Sequence, residues 1–169
     1  MYKRLGIVIA ILNFLAVLNS TYFFLGMAKA SLIEWLFFNA CAPSVLLYFI
    51  GYLTKNKIIQ AMAIPALAFF GIGGMFVFGW RGSALFAQVG HLFMTSAVVW
   101  LVYAIFKNKS FKEATIGFIL ASFLVNGFIT IDQRYTYRHW ERFQKIMEYN
   151  PNGSLPAGSI MPAQDGQVK

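Results

Sequence analysis

Gln88, His91 and Thr95 recur at i, i+3 and i+7, so a helix sets all three on one face. An imidazole on such a face can move a proton, bind a metal or haem, or simply hydrogen-bond a neighbour. Glu34, Asn39, Arg81 and Asn126 are among the other polar groups that fall inside or at the edge of apolar stretches. Such groups are costly in a bilayer and therefore mark sites or helix contacts. With Gln88 and His91 they form the expected ligand-binding set, a polar pocket opening to one side. The structural alternatives are as concrete. Glu34 can lie among lipid head groups, Arg81 can be a loop charge, and the asparagines can pair helices at ~0.6–2 kcal/mol each.

A second constellation lies near the C-terminal end. Asp132, Arg134, Arg138, His139, Glu141 and Arg142 gather acid, base and anion-binding groups in 11 residues. Arginine forks bind phosphate well, so Arg134, Arg138, His139 and Arg142 are the candidates for contact with an anion or a lipid head group. The alternative is an interfacial helix whose arginines meet lipid phosphates. Other chemistry lacks its parts. A haem held by two histidines needs a second intramembrane histidine, and a zinc site needs three or four clustered ligands. Cys41 is the single cysteine, so no disulfide forms within the chain. No phosphate loop, dinucleotide fingerprint, nucleophile elbow or potassium-channel filter occurs. No cofactor is evident, and the metal-binding potential stays open.

The elements that must position these residues follow from composition. The chain has 169 residues, 59% hydrophobic and 12% charged, against about 25% charged in an ordinary soluble domain. That leaves an integral membrane protein. A bilayer core needs ~20 apolar residues per helix, and five stretches qualify: 5–27, 32–53, 58–80, 84–106 and 114–131. Continuous apolar runs exclude the alternating pattern of a β-barrel. The short breaks between them force antiparallel neighbours. The expected fold is an all-α bundle of five transmembrane helices. Pro43 and Pro65 can kink spans 2 and 3, and Gly71, Gly73 and Gly74 allow close helix approach or a local break.

The net charge of +8 is a topology signal and calls for no nucleic acid. Lys3, Arg4, Lys55, Lys57, Lys107, Lys109 and Lys112 fall on one side, Lys29 and Arg81 on the other. The positive-inside rule then places the N-terminus in the cytoplasm and the C-terminal segment outside. Lys3-Arg4, an apolar run and Ala28-Lys29-Ala30 imitate a signal peptide, but the run exceeds a signal h-region and is expected to stay as span 1. Three regions result: a bundle over 1–131, an amphipathic helix or extension of span 5 over 132–150, and a disordered tail over 151–169. In the second, Trp140, Phe143 and Met147 share one face, and Arg134, Arg138 and Arg142 another.

The leading functional expectation is a non-catalytic component of the plasma or cytoplasmic membrane. It would be an accessory subunit of a larger complex, or a small transporter-like protein with an outward polar pocket. Its partners would be the lipid bilayer and other membrane subunits or further copies of itself. One alternative is an enzyme acting on lipid head groups or another anionic substrate at the outer leaflet. Another is a redox subunit that binds haem, copper or quinone through His91.

Overall fold

The computed structural model describes residues 2–77, 80 and 84–147; Arg81 and the tail 151–169 lie outside the described residues. Among these residues every regular element is helical. Helix α1 (Tyr2–Thr21) runs into a π-helical segment (Tyr22–Met27), followed by α2 (Leu32–Phe38), α3 (Cys41–Leu53), α4 (Lys57–Val77), α5 (Ala84–Asn108), α6 (Phe111–Arg138) and α7 (Trp140–Met147). Four of the helical stretches are long and apolar enough to cross a membrane: Arg4–Met27, Lys57–Phe76, Leu85–Asn108 and Phe111–Arg138. The pair α2–α3 makes a fifth if taken as one span, bent by 83°.

That bend is the main departure from the uniform stretch 32–53. Its cause is local. Pro43 has no N–H to donate to the carbonyl of Asn39 four residues back, and proline is tolerated only in the first turn of a helix. Helix α3 therefore starts afresh at Cys41, and the Asn39 carbonyl accepts from the Ala42 N–H instead, at 2.9 Å. Helix α2 has its own start signal, a capping box. The Ser31 hydroxyl accepts from the Glu34 N–H, and the Glu34 carboxylate accepts from the Ser31 N–H. Pro65 does not interrupt α4.

Helix α4 is the axis of the bundle. It packs against α3, α5 and α6, while α1 lies across α3 and α5. Small residues permit this. A Cβ on Gly71 would lie 2.9 Å from the Met94 Cβ, and one on Gly74 2.5 Å from the His91 ring, so α4 and α5 meet through these two glycines. Gly73 faces open space, and the helix continues through it without a break. At the other end, Gly117 of α6 sits against the Ile58 carbonyl, and Gly51 of α3 against the Gln60 N–H. The core between them holds Ala10, Val45, Tyr48, Leu67, Ala97 and Leu101. Large apolar side chains cover the outside: Phe86, Val99 and Phe123 are 76%, 65% and 77% exposed. An outward-facing apolar coat over long helices is compatible with an integral membrane protein.

The turns at 54–57 and 108–110 form one end of the bundle, beside the start of α1. Lys29, Lys55 and Lys109 each adopt the left-handed conformation, with φ of 53°, 55° and 51°. This is the helix-ending position usually given to glycine or asparagine. At the opposite end α6 runs past the expected boundary at 131 to Arg138. His139 then closes it, and α7 folds back.

Candidate functional site

Two polar groupings lie toward the α7 end of the bundle, and they differ in depth. The deeper one is built on α5. Gln88 is fully buried and His91 is 5% exposed, so the face that carries Gln88, His91 and Thr95 does turn inward. The His91 Nδ1 lies 3.3 Å from the Gln88 Oε1, and the Gln88 Nε2 donates to the Gly74 carbonyl at 3.5 Å. A glutamine oxygen only accepts, so this contact puts the imidazole proton on Nδ1 and leaves Nε2 as an acceptor. The Nε2 atom faces the Cys41 Sγ at 3.9 Å. Cys41 is the first residue of α3 and is half-buried. The Thr95 hydroxyl donates back to the His91 carbonyl of its own helix at 2.9 Å.

Asp132, near the C-terminal end of α6, is buried, and among the described residues its Oδ1 has no hydrogen-bond partner. A buried carboxylate oxygen without a donor is uncommon and marks a position with unmet polar demand. Among the described residues no three of His, Cys, Asp and Glu come close enough together to hold a metal ion.

The shallower grouping joins α2 to α7. The Arg142 Nε donates to the Glu34 Oε1 at 2.8 Å, while the Glu34 Oε2 accepts from the Ser31 N–H at 2.7 Å. Both carboxylate oxygens are thus engaged, one inside the capping box and one across 108 residues of sequence. The carboxylate raises the Arg142 pKa above its ordinary value through this hydrogen bond and its charge, so the guanidinium stays protonated. Beneath the ion pair, Ile146 is 1% exposed in an apolar cluster with Phe24, Ala30 and Phe38. Phe143 and Met147 pack on that cluster, and Trp140 remains 36% exposed. Tyr135 stacks on Phe37 and on the His139 ring, and the His139 Nδ1–H donates to the Tyr135 carbonyl at 2.9 Å.

The expected ligand-binding residues therefore separate. Gln88 and His91 stay together and gain Cys41. Glu34 turns to Arg142. Asn39, at the α2–α3 bend, donates to the Ser20 hydroxyl at 3.0 Å. Asn126 lies on the exposed face of α6. Arg134, Arg138 and His139 are exposed, and among the described residues only Arg142 of the basic set meets a carboxylate. Sequence reasoning passed over Cys41 as a partner of His91. The available signal was the first-turn proline two residues on, which places Cys41 at a helix start.

Inside the bundle, Asn13 and Gln60 act as interhelical ties. Asn13 is fully buried and donates to the Phe93 carbonyl at 2.9 Å, and Gln60 donates to the Gly51 carbonyl at 2.9 Å.

No protein-family model, no curated protein and no solved structure matches the chain.

Proposed function

We propose that this chain is a laterally associating component of a membrane assembly, with five spans, its N-terminus in the cytoplasm and α7 on the outer side. The observation that carries the reading is Asn126. Its amide lies on the exposed face of α6, between Ser122 and Thr130 one turn away on either side. The Ser122 and Thr130 hydroxyls donate back to the Phe118 and Asn126 carbonyls at 2.8 Å each. Asn126 lies some 22 Å along α6 from Phe111, at 1.5 Å per residue, and so within the hydrocarbon depth of a bilayer. An amide facing lipid there is unfavourable, and a second helix that hydrogen-bonds it removes the cost. Gly127 beside it meets nothing within 4 Å, which leaves room for close approach of that helix. The partner is another membrane subunit or a second copy.

Asn126→Leu tests this reading in native membranes, with cysteine cross-linking at Phe123 or Gly127 in a Cys41→Ser background. Cross-linked species are expected, and Asn126→Leu should reduce them about 3- to 30-fold, the equivalent of ~0.6–2 kcal/mol. A monomer that never cross-links, and that Asn126→Leu only stabilises, would show that α6 faces lipid alone.

A further inference from the structure

We propose that the partner on α6 is a second copy of this chain, joined to the first through parallel α6 helices with Asn126 facing Asn126 across a twofold axis. This names the occupant of the Asn126 face and rests on the reading that a helix covers it. Of the four long spans α6 is the least buried within the chain, since it packs chiefly on α4. Ala114, Gly117, Ala121, Val125 and Asp132 take up its buried side. On the other side Ile119, Phe123, Asn126, Thr130, Gln133 and Tyr137 follow one another at alternating steps of four and three, and all are exposed. The ends of this run, Ile119 and Tyr137, are 54% and 84% exposed. Such spacing averages 3.5 residues, the repeat that keeps one seam in contact between two helices wound left-handedly. Helix pairs in bilayers mostly cross in this way.

The chemistry at the centre of the seam identifies the occupant. Among the described residues the Asn126 amide makes no hydrogen bond. A carboxamide both donates and accepts, so two identical amides satisfy each other. They must lie at one depth to do so. Two copies of one sequence meet that condition, because the same loop charges orient both. Their α6 helices then run parallel, with residue 126 at equal depth in each. Gln133, seven residues on, brings a second self-complementary amide to the same seam. An unrelated subunit would have to supply amides at both depths. A polar side chain within such a seam also fixes its register and the number of chains. The exposed residues Ile72 and Phe76 of α4, and Leu92 and Val99 of α5, are apolar and suited to lipid.

The test co-expresses two full-length copies with different tags, both Cys41→Ser and both carrying one new cysteine on α6, and oxidises the membranes that hold them. The substituted residues are exposed, so the bundle itself is left intact. Ile119→Cys, Phe123→Cys and Thr130→Cys are expected to give a product bearing both tags, at least about fivefold more than the off-seam Leu124→Cys and Ile131→Cys. Asn126→Leu in both copies should reduce it about 3- to 30-fold. Asn126→Leu in one copy should reduce it nearly as far, because the remaining amide has lost its partner. Asn126→Gln in both keeps the reciprocal pair and should hold the yield within about twofold. In a separate arm, a benzophenone on Phe123→Cys captures whatever helix lies beside α6. A captured product with one tag and a foreign subunit overturns the second copy as partner and leaves lateral association standing. Equal yields on and off the seam, or a one-copy Asn126→Leu without effect, overturn the parallel amide pair. Absence of any captured protein overturns both this proposal and the reading it rests on.

Discussion

The two ends of the bundle are held by different means. At the end of the 54–57 and 108–110 turns, glycines let neighbouring helices come close. Gly117 lies against the Ile58 carbonyl, Gly51 against the Gln60 N–H, and Gly6 against the Trp100 ring. At the α7 end the approach of α4 to α5 at Gly71 and Gly74 is joined by contacts between side chains: Ile146 in its apolar cluster, Glu34 with Arg142, Asn39 with Ser20, and His91 with Gln88 and Cys41. Close approach at a glycine fixes the distance between two helices. Side-chain contact is adjustable, and the ion pair and the His91 group lie at that adjustable end.

Substitutions at the two ends separate these modes. Ile146→Ala empties a closed apolar site and should cost about 2–5 kcal/mol. The loss falls on α7 alone, so faster hydrogen exchange should appear over 140–147 while α4 stays protected. Exchange that rises uniformly would show that the two ends unfold as one. Gly117→Leu attacks the other end. A Cβ there meets the Ala61 Cβ at 2.6 Å and the Ile58 carbonyl at 2.7 Å, neither of which can swing away. The expected cost is about 1–3 kcal/mol or more, read as a lowered thermal midpoint of the whole bundle in detergent. An unchanged midpoint would mean that α6 moves freely against α4. Gln88→Leu strips a buried partner from the His91 ring and should cost roughly 1–3 kcal/mol by the same measurement. The smallest effect belongs to the ion pair. Glu34→Gln should change overall stability by no more than about 1 kcal/mol, because exposed pairs contribute little. A midpoint drop several times larger would move the pair from the surface into the structural core.

Much of the fold was legible in composition, because a bilayer imposes a length on every apolar helix. The stretches 5–27, 58–80, 84–106 and 114–131 each correspond to a long helix, and the inward face of α5 follows from three residues at helical spacing. Partnership between distant residues was not legible. Glu34 and Arg142 are 108 positions apart, and nothing in either neighbourhood names the other. The face of α7 was read from Trp140, Phe143 and Met147, yet the most buried residue is Ile146, since α7 rests on its side facing Phe24 and Phe38. The bend at Asn39 was half-legible. Pro43 announced a disturbance in an otherwise uniform stretch, but a kinked span and a fresh helix start give the same composition.

The three left-handed lysines carry a last consequence. Each forgoes roughly 1–2 kcal/mol by holding a side chain where glycine would rest without strain. On the positive-inside reading, Lys55 and Lys109 also supply two of the seven charges that orient the chain during insertion. Backbone relaxation and correct biogenesis therefore oppose each other at the same positions. A selection for heat resistance in detergent would favour glycine at 55 and 109, and a selection for correctly inserted protein in cells would reject it.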